Sequence, residues 1–219
     1  MHQHKNFNYS KGDKIIMNLL LNFNIEAVFI DIEKLDNKPN SPIIEISLIS
    51  ENGDILLDTY INPGKNHKLS TYKINVLNYD PCKLSAAKDL NYYIPCIKEL
   101  TKGKTLIGYG KSDIDALPWL KPHTIYLDAC QRFSDRYGSY NYYHGDHTWV
   151  SLADACKEIG YIPNGIVHRS LVDAESCRQV WLHLNKMDAN FQLPLYQNQI
   201  NSNCKIIEVK KEKENESTF

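Results

Sequence analysis

The stretch "EAVFIDIE" (26–33) decides the fold. It is apolar and branched, and it ends in acids, as a strand buried inside a sheet would. Alternation along a strand puts Asp31 and Glu33 on one face. In an open α/β sheet, ligands gather at the carboxyl ends of strands. Two acids at such an end are therefore candidates for chemistry, although alone they also fit a solvated strand end.

Working outward, "PIIEISLIS" (42–50) alternates, and "GDILLDTYINP" (53–63) follows a turn signal, which gives a hairpin. The run "KLSAAKDLNYYIPCIKELTKG" (83–103) is expected to be one helix, kinked at Pro95. "KTLIGYG" (104–110) reads as a buried strand, and "SDIDALPWL" (112–120) as a short helix capped by Ser112. "HTIYLDAC" (123–130) reads as another strand. "SLADACKEIG" (151–160) reads as a helix capped by Ser151 and stopped by Gly160, and "VDAESCRQVWLHLNKM" (172–187) as the last helix. This order predicts a single α/β domain on a mixed sheet with an antiparallel hairpin side. Expected boundaries are a lead-in at 1–24, the domain at 25–190 and a charged, partly disordered extension at 191–219.

Bulk properties narrow the function. The chain has 219 residues with 42% apolar and 23% charged side chains, ordinary globular usage. Its net charge of −1 offers no global field for nucleic acid, so a polyanion site must be local or carried by cations. Six cysteines without a CxxC pair suggest reduced thiols and a cytoplasmic setting, with neither a zinc framework nor a disulfide scaffold. The segment "KIIMNLLLNF" (14–23) is too short to span a bilayer and lacks a cleavage signal, so no membrane role is expected. Met17 is an alternative start.

Further acids lie where the same sheet end would be. Asp113 follows the strand "KTLIGYG", and Asp173 opens the last helix, with His168 shortly upstream. Four carboxylates meeting without a lysine partner repel one another unless cations fill the gap. Hard oxygen donors suit magnesium or manganese.

Here the chain resembles a known family. "FIDIEKL" (29–35), "LIGYGKSDIDAL" (106–117) and "HRSLVDAES" (168–176) are similar to the three motifs of the DnaQ-like 3′-5′ exonuclease superfamily, DEDDh branch. "DTYINPG" (58–64), "YKINVLNYD" (72–80) and "SLADACKEIGY" (151–161) fall in the family's order. The resemblance implies an RNase H-like fold, with a mixed five-stranded sheet flanked by helices. It implies two divalent ions, Mg2+ or Mn2+, with Asp31, Glu33, Asp113 and Asp173 as ligands and His168 as general base. The implied reaction removes nucleoside 5′-monophosphates from the 3′ end of single-stranded DNA or RNA, DNA being favoured. RNA trimming and a non-catalytic nucleic-acid-binding module are the alternatives.

Expected substrate contacts are Leu35 as an apolar wedge, Tyr109, and residues of "RFSDRYGSYNYYHGDHTW" (132–149). That stretch reads as a loop in which Arg132 meets phosphate while Tyr143 and Trp149 stack on bases. A packed connection covering the sheet edge is the plainer reading of the same residues. Zinc at its His144 and His147 lacks a suitably spaced thiolate. A homodimer is one assembly compatible with the chain.

Overall fold

The structure, a computed structural model, describes residues 26–189 except 37, 39 and 66. The expected lead-in, alternative start and charged extension lie outside the described residues.

Five strands form one sheet in the order β3-β2-β1-β4-β5. They are β1 (Ala27–Lys34), β2 (Ile43–Ser50), β3 (Ile55–Tyr60), β4 (Thr105–Gly108) and β5 (Ile125–Asp128). The first three pair antiparallel, whereas β1, β4 and β5 run parallel. This is the mixed five-stranded sheet, flanked by helices, that the sequence predicts.

Central strand β1 is covered on both faces, which explains its apolar run. Val28, Ile30 and Ile32 pack with Ile97, Ile114, Leu117 and Leu120 on one side. Ala27 and Phe29 pack with Ile107, Ala174, Cys177 and Trp181 on the other. Asp31 and Glu33 share the face of Phe29, so they point toward the element that carries Ala174.

The helices are α1 (Thr71–Asn75), α2 (Pro81–Ala86), α3 (Leu90–Thr101), α4 (Ser112–Ala116), α5 (Ala129–Tyr137) and α6 (Leu152–Glu158), followed by α7 over 170–189. Between β5 and α6 lies a small hairpin, β6 (Tyr140–Asn141) with β7 (Asp146–His147).

Three expectations are corrected. The long helix over 83–103 is two helices, because Ala87 turns extended and Asp89 recaps the chain by accepting from the Tyr92 amide. Helix α3 continues through Pro95. The strand over 123–130 ends at Asp128, whose carboxylate accepts from the Gln131 amide and starts α5. Ser112 is not a cap: Lys111 takes that place without a side-chain bond, and the Ser112 hydroxyl donates to Asp113 instead. Ser151 does cap α6, accepting from the Asp154 amide.

Candidate metal centre

Parallel pairing of β1 with β4 brings their carboxyl ends side by side, with Phe29 opposite Ile107. The chain leaves β4 through Tyr109 and Gly110 and enters α4, whose first turn holds Asp113. That turn is tied to β5. The Asp128 carboxylate accepts from the Gly110 amide at 3.0 Å, and the Tyr126 hydroxyl donates to the Gly110 carbonyl. A Cβ at Gly108 would collide with that hydroxyl, so a larger residue there would push the Tyr126 ring away from Gly110. On the other flank, α7 packs over Phe29 and delivers Asp173 in its opening turn, with the Asp173 amide donating to the Arg169 carbonyl.

The four predicted acids therefore meet at one end of the sheet. Ligand atoms of Glu33, His168 and Asp173 lie within 4.8 Å of one another. His168 has a φ of 64°, a left-handed conformation uncommon for a non-glycine residue. Its amide donates to both Asp173 oxygens, at 3.3 and 3.2 Å, and its Nδ1 lies 3.9 Å from Oδ2. The strained turn folds the backbone onto Asp173 while leaving the imidazole largely exposed.

Burial raises every one of these acids. The Asp31 carboxyl is pushed well above the usual range by desolvation, reinforced by Asp113, Asp173 and Glu33. Desolvation raises Asp113 to about 7, with the Ser112 hydroxyl opposing. Glu33 also rises to about 7 by desolvation, held back by Lys73. Asp173 is raised by desolvation, and the His168 amide opposes the shift. Oδ2 of Asp31 is buried without a hydrogen-bond partner. A buried carboxylate oxygen with no donor, among three more acids, fits a hard divalent cation.

Two features escaped the sequence reading. The acids do have a lysine partner: the Lys73 ammonium lies 3.3 Å from Oε2 of Glu33, and its residue is only 9% exposed. Sequence alone hid it, because Lys73 sits in a five-residue helix too short for periodicity to show which way it faces. The second feature is Glu45 on β2, opposite Glu33 and 3% exposed. Its carboxylate accepts from the Arg169 guanidinium, the Tyr79 hydroxyl and the Ser170 amide. Arg169 in turn stacks on Tyr79, with its guanidinium carbon 4.5 Å from the ring centroid. This cluster anchors the residues immediately after His168.

No family model matches the chain, and no curated protein matches it by sequence. Solved structures do match. A 3′-exonuclease described in 3′-end specific recognition of histone mRNA stem-loop has 14% identity and a TM-score of 0.56, covering 74% of this chain and 81% of its own. The nuclease domain of 3′hExo, a DEDDh family member bound to rAMP, has 19% identity and a TM-score of 0.53, covering 75% and 94%. S. pombe Pop2p, in a form with Mg2+ and Mn2+ bound, has 13% identity and a TM-score of 0.54, covering 80% and 87%. The chain shares its fold with these structures.

In this fold the expected substrate contacts separate. Leu35 follows β1 and packs beside Ile44, Leu77, Tyr79 and Leu84. Tyr109 is partly buried, and its hydroxyl donates to the Val150 carbonyl at 2.8 Å. The neighbouring Trp149 is 68% exposed. Tyr143 is 90% exposed on the hairpin. The hairpin follows α5, and its second strand turns back against that helix, with His147 Nδ1 3.8 Å from Asp135.

Arg132 is a correction. Its guanidinium donates to Asn185 and Asp188 and lies 4.2 Å from the Trp181 ring centroid, with 11% of its side chain exposed. The segment read as a loop begins as helix α5, which turns Arg132 onto α7 and away from phosphate. His147 approaches Asp135 and Asp146, and His144 is outside that group, so the two histidines do not pair as a zinc site. No helix among the described residues is long and apolar enough to cross a membrane.

Proposed function

We propose that this protein is a metal-dependent 3′-5′ exonuclease that hydrolyses the last phosphodiester of a single strand and releases nucleoside 5′-monophosphates. The observation that carries this reading is the meeting of Asp31, Glu33, Asp113 and Asp173 beside His168, with one buried Asp31 oxygen left without a donor. Two divalent ions are proposed, and Asp31, Glu33, Asp113 and Asp173 are the residues that would hold them. When bound, such ions stabilise charge on the entering and leaving oxygens of phosphoryl transfer.

The chain supplies the rest. His168 is the proposed general base, accepting the proton of the attacking water through its exposed imidazole. Asp173 fixes the backbone that carries it, by accepting the His168 amide. Leu35, just past β1, and the exposed Trp149 are the proposed contacts of a terminal nucleotide. Tyr143, exposed on the hairpin, would offer a stacking surface that tolerates any base. Free thiols at Cys82, Cys96, Cys130, Cys156 and Cys177 support a cytoplasmic setting.

A second reading, RNA trimming, is favoured by the neighbours named for a histone mRNA stem-loop and for rAMP. Incubation of the purified protein with end-labelled single-stranded DNA and RNA tests both. Loss of 3′ nucleotides should need manganese or magnesium and stop with chelator. Full activity in excess chelator would sink the metal reading. Binding without hydrolysis under every condition would leave a nucleic-acid-binding module.

A further inference from the structure

One of the four acids, Glu33, holds an ordinary cation. Among the described residues, Lys73 is the one lysine or arginine ion-paired with any of them. It is well held. Its amide donates to the Ser70 cap of α1, and its ammonium lies 5.2 Å from the Tyr79 ring centroid and 3.3 Å from Oε2 of Glu33. The side chains of the pair are 11% and 16% exposed, so water screens them poorly. Glu33 is also one of three residues whose ligand atoms sit close enough to share an ion.

We propose that Lys73 is a tethered counter-cation that competes with the divalent ion for Glu33. Without metal, its ammonium offsets part of the repulsion among the acids and keeps Glu33 in place. An arriving ion takes over that carboxylate and meets repulsion from the ammonium beside it. Lys73 thus lowers metal affinity while stabilising the metal-free fold. The inference rests on the metal reading above, and its test separates the two.

Calorimetric titration of the full chain with manganese alone, without nucleic acid, reads the competition directly. Lys73→Met should bind manganese about tenfold more tightly than wild type, an electrostatic gain of about 1.4 kcal/mol. Lys73→Arg, which keeps the charge, should bind like wild type. The metal-free Lys73→Met protein should unfold at a lower temperature, and saturating manganese should close the gap. Equal or weaker binding by Lys73→Met overturns the proposal and leaves the metal centre standing. Wild type and variant that both bind no manganese overturn both readings. If Lys73→Met does not fold, wild type gives the answer through reductive methylation read by mass spectrometry. Magnesium should increase labelling of Lys73, because its ammonium is released from Glu33, and unchanged labelling overturns the proposal.

Discussion

Arg169 grips Glu45 with two of its nitrogens, Nη2 at 2.6 Å from Oε1 and Nε at 3.0 and 3.1 Å from the two carboxylate oxygens. The pair joins the middle of the sheet to the residue that follows His168. The Ser170 amide donates to the same carboxylate, and the Ser170 and Ser47 hydroxyls lie 2.7 Å apart. Strand β2 thereby sets the start of α7, and with it the positions of His168 and Asp173.

Removal of one partner should be costly. Glu45→Ala or Arg169→Ala each leaves an uncompensated charge in a part-buried setting, which costs about 3–5 kcal/mol. The double variant should lose much less than the sum, because neither charge remains stranded. Denaturant unfolding of the four proteins completes the cycle. Additive losses would show that the two side chains act independently.

Stability should also depend on pH in a direction opposite to that of a salt-bridged carboxylate. Glu33 and Asp113 rise to about 7 in the folded state, from ordinary values of 4.5 and 3.8. Between those values the folded protein binds more protons than the unfolded chain. Stability therefore falls as pH rises from about 4 to 7. Thermal unfolding without metal should show this decline, and manganese should offset it increasingly toward pH 7. A metal-free protein that gains stability across that window contradicts the burial of these acids.

Asp31→Asn removes the acid most strongly raised by burial and repulsion. The metal-free variant should unfold at a higher temperature than wild type, by about 2–4 °C for each kcal/mol of relieved repulsion. It should lose exonuclease activity and most of its stabilisation by manganese. A variant that manganese stabilises as well as wild type would remove Asp31 from the ligand set.

His168→Ala should lower turnover by about two to four orders of magnitude, the scale of general-base loss. Affinity for a 3′ end in manganese should barely change, since the four acids remain. Near-normal turnover would leave His168 with the structural task of presenting its amide to Asp173.

Much of this was legible in the sequence because it is local. The apolar run of β1 with its terminal acids, and the acid that opens α7, are each visible within a few residues. Glu45 was not. In "PIIEISLIS" it reads as the polar member of an alternating strand, yet β2 is buried almost throughout, and Arg169 approaches it from the far end of the sequence. Helix α5 did leave a signal. Ala129, Cys130, Phe133 and Ser134 are buried at helical spacing behind the capping Asp128. The tyrosines and glycines that follow obscured it. Lys73 illustrates the remaining limit, since a single helical turn has no period to read.

Helix α7 covers the face of β1 that holds Asp31 and Glu33, and it is the last element of the described chain. During synthesis, the strands that carry the first acids leave the ribosome well before the segment that brings Asp173 and His168. Until that segment emerges, Phe29 and Ile107 lack their cover and the acid cluster lacks Asp173 and the neighbouring His168. The acid cluster is thus completed in the same event that closes the hydrophobic core, and a prematurely terminated chain would have neither.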